Sequence, residues 1–165
     1  MKLSHLSLFI CLLAPTSSWA LTSDQKQPIY INSDSQHLDM KTNKVTFTGN
    51  VKLTQGSIHL TADKLIVIRN AKTQQLQEMQ GYGKPAHFSQ KSEEGKLLKG
   101  QANTLVYNVH TDKLIMTTNA ELHQDDSVIK GKVITYQIGT QNLEANSGDG
   151  QRVSTVLQPE QLDKK

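Results

Sequence analysis

A stretch near the start of the chain recurs later in it, and this repeat limits the possible folds more than any other sequence feature. Residues 40–67 align without a gap on residues 109–136, an offset of 69 positions (109 − 40). Shorter copies of the same turn occur at residues 138–148 and 68–81. Six positions are identical in the two long copies: Thr42, Lys44, Thr48, Asn50, Leu53 and Gln55 match Thr111, Lys113, Thr117, Asn119, Leu122 and Gln124. Such repeats indicate stacked supersecondary units.

Within each unit, apolar and polar residues alternate as they do in β-strands. The segment VTFTGNVKLTQGSIHL at residues 45–60 alternates except at Gly49-Asn50 and at residues 55–57. This pattern predicts three short strands joined by two turns. The glycines and proline of GYGKP, at residues 81–85, predict another turn.

One segment has conflicting signals. Residues 73–80, TQQLQEMQ, have good helix propensity, and Leu76 and Met79 are spaced as on a helix face. The repeat, however, places Leu76 where Val45 and Leu114 lie, and this register predicts a strand. The chain is therefore predicted to be all-β, with successive antiparallel strands forming two facing sheets around an apolar interior.

Alternation and the repeat register together predict which side chains face that interior. They are mainly aliphatic residues with a few Met, Phe and Tyr, and each lies on the apolar face of a predicted strand. The predicted interior residues are Ile29, Ile31, Met40, Phe47, Leu53, Leu60, Val67, Phe88, Tyr107, Met116 and Tyr136.

The first twenty residues have the features of a secretory signal peptide. Lys2 precedes an apolar run from Leu6 to Ala14, and Ser18-Trp19-Ala20 provides small residues before a cleavage site. Cys11 follows the bulky Ile10, which argues against lipidation. We therefore predict a cleaved segment at 1–20 and a single domain at 21–165 with a short polar C-terminal tail.

Cleavage leaves a nearly neutral chain that must fold without disulfides. The only cysteine and the only tryptophan of the chain lie in the signal segment, and the formal charge falls from +3 to +2 when Lys2 is removed. Packing and backbone pairing alone must then hold the domain together. The low charge argues against a nucleic-acid partner.

The polar residues do not form a recognisable catalytic or metal-binding pattern. The His37-x-Asp39 and His110-x-Asp112 pairs lie in or beside strand-turn units, without the ligand spacing that zinc sites use. Glu93-Glu94 and Asp125-Asp126 are adjacent acids in polar loops, which do not suit a glycosidase pair. We predict that the protein is not an enzyme and has no metal or cofactor.

Several motifs in this order resemble one known family. The run SDSQHLDMKTNKVTFTGNVKLTQGSIHLTADKLIVIRN, followed by GYGKPAHF and SVIKGKVITY, is similar to the LptA/OstA family of periplasmic lipopolysaccharide-transport proteins. The resemblance covers nearly the whole mature chain. It implies an open antiparallel β-jellyroll in the periplasm that binds the lipid A part of lipopolysaccharide. It also implies a head-to-tail bridge between an inner-membrane-anchored partner and an outer-membrane translocon, needed for outer-membrane assembly.

The resemblance gives the interior and the strand edges their expected roles. The interior residues would shield acyl chains, since each methylene removed from water contributes about 0.8 kcal/mol. An open sheet has two unpaired edges, and the first and last strand signals lie at 27–34 and 151–158. Pairing of one molecule's last strand with the next molecule's first strand would propagate end to end. The predicted edge residues are Ile29, Tyr30, Ile31, Arg152, Val153, Ser154, Thr155 and Val156.

Other classes remain open at this stage. A secreted β-solenoid that binds or processes glycans is the main alternative, and it would need convergent acids or an exposed aromatic strip. The membrane-anchored partner of the same pathway and the N-terminal part of its translocon are further alternatives. The cleavable signal argues against the first of these two, and the chain end at Lys165 without barrel strands argues against the second.

Overall fold

The computed structural model describes residues 24, 26–92, 95–148 and 152–157. The signal segment predicted at 1–20 lies outside the described residues, as does the end of the polar tail after residue 157. No helix in the described part of the chain is both long enough and apolar enough to cross a membrane.

The described residues form ten β-strands, so the all-β prediction is confirmed. The strands are β1 (Tyr30–Asn32), β2 (Ser35–Asp39), β3 (Lys44–Gln55), β4 (Ile58–Arg69), β5 (Leu76–Lys91), β6 (Leu97–Asn108), β7 (Lys113–Gln124), β8 (Ser127–Gln137), β9 (Asn142–Asn146) and β10 (Ser154–Val156). Residues 76–80, where helix propensity competed with the repeat register, belong to β5. The register was therefore the better guide, because pairing on both sides overrides local propensity.

All neighbouring strands pair antiparallel, and within the described residues the first and last strands of the sheet do not pair with each other. The order is β1-β3-β4-β5-β6-β7-β8-β10, with β2 also paired to β3 and β9 also paired to β8. The short strands β1 and β2 share one side of β3, and β9 and β10 share one side of β8. The sheet therefore has an open edge at each end.

The long strands are continuous through bulges, and two sequence-based predictions were wrong for this reason. At Gly49-Asn50 the chain does not turn: β3 continues, and its register with β4 shifts between Thr48 and Val51. Likewise residues 81–85 lie inside β5, with a register shift between Tyr82 and Ala86. At Gly49-Asn50 both residues have positive φ, which a bulge and a turn can both use, so the residue types alone could not separate the two.

These irregularities let each long strand bend, and the two halves of the sheet face each other. A Cβ atom on Gly81 would lie 3.5 Å from a methyl carbon of Leu60, although the residue of β4 paired with Gly81 is Leu65. A Cβ atom on Gly100 would lie 2.7 Å from the sulfur of Met116. Both contacts join parts of the sheet that are separated along the strands. The prediction of two facing layers around an apolar interior is therefore confirmed.

The repeat appears in the structure as a recurring turn. β3 and β7 begin and end 69 residues apart, as the sequence alignment requires. The turn residues Asn43, Gln74, Asp112 and Gln141 all have positive φ and occupy the same place in the four copies. Their shared backbone geometry explains why the motif Thr-polar-Lys/Asn recurs, since a polar residue tolerates this conformation better than a branched apolar one.

Short side chains before these turns stabilise them. The Asp39 carboxylate accepts hydrogen bonds from the backbone N–H groups of Lys41 (2.8 Å) and Thr42 (3.2 Å). The Asn70 side-chain oxygen accepts equivalent bonds from Lys72 and Thr73. Hydrogen bonding to the Thr42 side chain, and then to the backbone N–H groups of Thr42 and Lys41, holds the pKa of the Asp39 carboxyl below its usual range.

Candidate functional site

The apolar interior between the two layers is the main candidate site. Buried aliphatic and aromatic side chains from six strands and the turn after β8 form one continuous cluster. Its members are Phe47, Val51, Leu53, Leu60, Leu65, Met79, Ala86, Phe88, Leu98, Ala102, Leu105, Leu114, Met116, Ala120, Leu122, Ile134, Tyr136 and Ile138. Such a surface is suited to hydrocarbon, because apolar burial is favourable and has no directional requirement.

Most side chains predicted to face the interior do so. Phe47, Leu53, Leu60, Phe88, Met116 and Tyr136 are buried in the cluster, and Ile29, Ile31, Val67 and Tyr107 are partly buried against it. Contact of these residues with a ligand stays a prediction. Met40 was placed wrongly: it is 81% exposed, because β2 ends at Asp39 and Met40 is already in the capped turn.

Partly buried apolar residues lie near both open edges of the sheet. On the β1 side they include Ile31 and Val45, and on the β9 side they include Leu143 and Ala145. These side chains pack against the cluster while remaining accessible to solvent. Each edge therefore offers an apolar approach to the interior.

One end of the interior is anchored by tyrosines and an aspartate. The Tyr107 hydroxyl donates a hydrogen bond of 2.9 Å to Asp112, whose other carboxylate oxygen accepts one of 2.7 Å from the Gly139 N–H. Burial of Tyr136, with a smaller contribution from the negative charge of Asp112, raises the pKa of its hydroxyl. The two tyrosine rings thus border the interior beside a polar turn.

The other end has buried polar groups. Asp24 accepts hydrogen bonds from the backbone N–H of Ser57 (2.8 Å) and from its hydroxyl (2.6 Å). Gln55 is buried, and its side-chain amide donates a hydrogen bond of 3.1 Å to the carbonyl of Gln27. Gln90 is also buried, yet neither of its side-chain polar atoms has a hydrogen-bond partner. The prediction of interior residues did not include Gln90, although its place in AHFSQK, two residues after Phe88, is an inward position of the alternation.

The outer face of the sheet is polar and has a recess of about 600 Å³. Its lining includes His59, His87, Lys99 and His123. Within the described residues, no three histidine, cysteine, aspartate or glutamate side chains converge as metal ligands would. Glu121 lies nearby, and a 2.7 Å hydrogen bond from Lys130, with a weaker one from His123, holds the pKa of its carboxyl below the usual range.

The predicted edge residues lie at the two open edges. Tyr30 and Ile31 belong to β1, residues 154–156 form β10, and Ile29, Arg152 and Val153 adjoin these strands. Each of the two strands pairs with one neighbour in the described chain. All three residues of β10 are exposed, as is Tyr30. The geometry leaves one side of each edge strand available for backbone pairing.

Comparison with known proteins shows the family of this chain. A family model described as "LptA/(LptD N-terminal domain) LPS transport protein" matches residues 30–142, from the first residue of β1 to the first residue of β9. The chain belongs to this family. The resemblance of its motifs to LptA is thus confirmed, and the family is one of transport proteins rather than enzymes.

Individual relatives cover most of the chain. The lipopolysaccharide export system protein LptA of Escherichia coli K12 is 47% identical over 154 residues, covering 93% of this chain and 83% of that protein. The protein of the same name from Haemophilus influenzae is 45% identical over 166 residues, covering 98% of this chain and 96% of that protein.

A solved structure agrees with the fold. LptH of Pseudomonas aeruginosa is described as the LptA-homologous periplasmic component of the lipopolysaccharide transport device. It matches with a TM-score of 0.77 at 28% identity, over 83% of this chain and 99% of LptH. The open antiparallel architecture predicted for the LptA family is therefore present here.

Proposed function

We propose that this protein is a periplasmic lipopolysaccharide carrier that holds the acyl chains of lipid A between its two layers. The observation that carries the proposal is the continuous apolar cluster, with partly buried aliphatic residues near both sheet edges. The names of its relatives support lipopolysaccharide as the cargo. Residues 1–20 would direct export and be removed, leaving the domain at 21–165.

The proposed chemistry is sequestration and involves no bond making. Several acyl chains must be kept from water during transport, and each buried methylene contributes about 0.8 kcal/mol. Aliphatic walls supply this stabilisation without demanding one exact chain position. The sugars and phosphates of the ligand would stay in solvent outside the interior.

The open edges would connect the carrier to its partners. β10 of one molecule pairs with β1 of the next, or with an equivalent strand of an inner-membrane-anchored component or an outer-membrane translocon. Strand addition of this kind uses backbone hydrogen bonds and is a common mode of recognition. Because the two edges differ, the contact is heterologous and extends head to tail.

A glycan-binding or glycan-processing role has less support. Such a role would need convergent acids or an exposed aromatic strip. Among the large apolar side chains that the described chain exposes, the only aromatic one is Tyr30. The family match also names a transport protein.

An aspartate on the inner face of β1 should weaken lipopolysaccharide binding, whereas one on the outer face should not. Ile31 packs against the interior cluster beside Leu53, and the next residue, Asn32, is exposed. We expect Ile31→Asp to lower affinity roughly tenfold or more, since an isoleucine contact is lost and a charge faces the acyl chains. Asn32→Asp should stay within about twofold.

The two variants are compared by equilibrium binding of purified residues 21–165 to lipopolysaccharide, at protein concentrations where the chain is monomeric. Both add one negative charge to the same strand, so repulsion of ligand phosphates is matched. Circular dichroism checks that both are folded. Equal affinities for the two variants would contradict binding in the interior.

A further inference from the structure

Gln90 is a polar residue on an otherwise apolar face. It lies in β5 on the same side as Ala86 and Phe88, both of which belong to the buried cluster. Its partner on β6 is Leu98, which is also buried. Gln90 is only 2% exposed, and within the described structure neither Nε2 nor Oε1 has a hydrogen-bond partner.

This arrangement destabilises the protein unless something else satisfies the amide. A buried polar group without a hydrogen bond loses its hydration and gains nothing in return, whereas leucine in the same place would only add apolar contact. Gln55, the other buried glutamine, is satisfied by the carbonyl of Gln27. Gln90 is thus the amide in this part of the interior that still needs a partner.

We propose that Gln90 recognises the polar linkage group at the head of an acyl chain held in the interior. This inference rests on the proposed function, because it requires acyl chains between the layers. Nε2 would donate a hydrogen bond to the carbonyl of the linkage, and Oε1 would accept one from an amide N–H. The ligand class is therefore an amphiphile whose chain is attached through an amide, with an ester as the weaker substitute.

The position of Gln90 suits this role. It is the residue before the last in β5, close to the end of the interior where Asp24 and Ser57 form their hydrogen bonds. From there the apolar face continues along β5 through Phe88, which pairs with Leu60. A linkage group at Gln90 would place the attached hydrocarbon along these two side chains.

The test uses three synthetic amphiphiles with the same chain and the same anionic head, joined by an amide, an ester or an ether. Their affinities for purified residues 21–165 are measured by titration calorimetry. For the wild type we expect the amide to bind roughly 5- to 20-fold more tightly than the ether, as one or two neutral hydrogen bonds would give. The ester should lie between them.

Gln90→Leu should bring the three affinities to within about twofold of one another, and Gln90→Met serves as a second variant of similar size. Thermal unfolding of the ligand-free variants should show no loss of stability, since the unpaired amide is gone. Gln55→Leu is the matched control: it removes the bond to Gln27 and should lower stability while keeping the preference for the amide.

The outcomes separate this inference from the function on which it rests. A wild type that binds all three amphiphiles equally, as it would if water satisfies Gln90, overturns the role of Gln90 and leaves the carrier function standing. An unchanged amide preference in Gln90→Leu and Gln90→Met does the same. A wild type that binds none of the three overturns the carrier function, and this inference with it.

Discussion

Replacing Leu65 by alanine should lower the free energy of unfolding by about 3–5 kcal/mol. Leu65 is fully buried in the interior cluster, on β4 beside Phe47 of β3 and Gly81 of β5. The substitution removes buried methyl groups and leaves a cavity that the bulged strands cannot fully close. Urea unfolding of residues 21–165, followed by circular dichroism, measures the change.

Leu38 provides the control for this substitution. It lies in the edge strand β2 and is 42% exposed, so Leu38→Ala should cost about 1 kcal/mol or less. The two variants remove the same atoms, and only their burial differs. Similar destabilisation by both would mean that the region around Leu65 is not a packed core.

Blocking either open edge should prevent end-to-end growth, and mixing the two blocked proteins should restore a single contact. Proline lacks the N–H that strand pairing uses. Tyr30→Pro disrupts β1 and Thr155→Pro disrupts β10, which are the two terminal strands of the sheet. In sedimentation velocity we expect the wild type to form longer assemblies as its concentration rises, whereas each variant alone should stay monomeric at the same concentrations.

The mixture distinguishes head-to-tail pairing from other contacts. Tyr30→Pro keeps an intact last strand and Thr155→Pro keeps an intact first strand, so an equimolar mixture should form dimers and nothing larger. Assembly of either variant to wild-type size would show that the edges are not the contact. Monomers in the mixture, with both variants folded, would exclude pairing of last strand with first.

The strands and the equivalence of the repeated units could be predicted from the sequence, because packing requires apolar residues at regular positions. An alternating strand must put its apolar side inward, and the offset of 69 residues identified β3 and β7 as equivalent. The sequence pattern gave a wrong prediction where the same residues are compatible with either a turn or a bulge. Gly49-Asn50 allowed either a turn or a bulge, and only pairing with β4 across the whole of β3 selects the bulge.

Met40 and Gln90 show that hydropathy alone can misplace a side chain, the first by predicting burial and the second by predicting exposure. Met40 continues the alternation after Leu38, but the Asp39 cap ends the strand first, so the methionine is exposed. Gln90 breaks the alternation by its polarity, yet the pairing of β5 with β6 places it inside. Hydropathy records the preference of a side chain, whereas register fixes its location.

The most direct test of the carrier function is site-specific photo-crosslinking to lipopolysaccharide from two positions on β3. Phe47 faces the interior and is buried, whereas Lys52 lies on the same strand with its side chain exposed on the outer face. A photoreactive residue at Phe47 should label lipopolysaccharide, and one at Lys52 should give only the background found without illumination. Equal labelling from both positions, or labelling from Lys52 alone, would contradict an acyl-chain site between the layers.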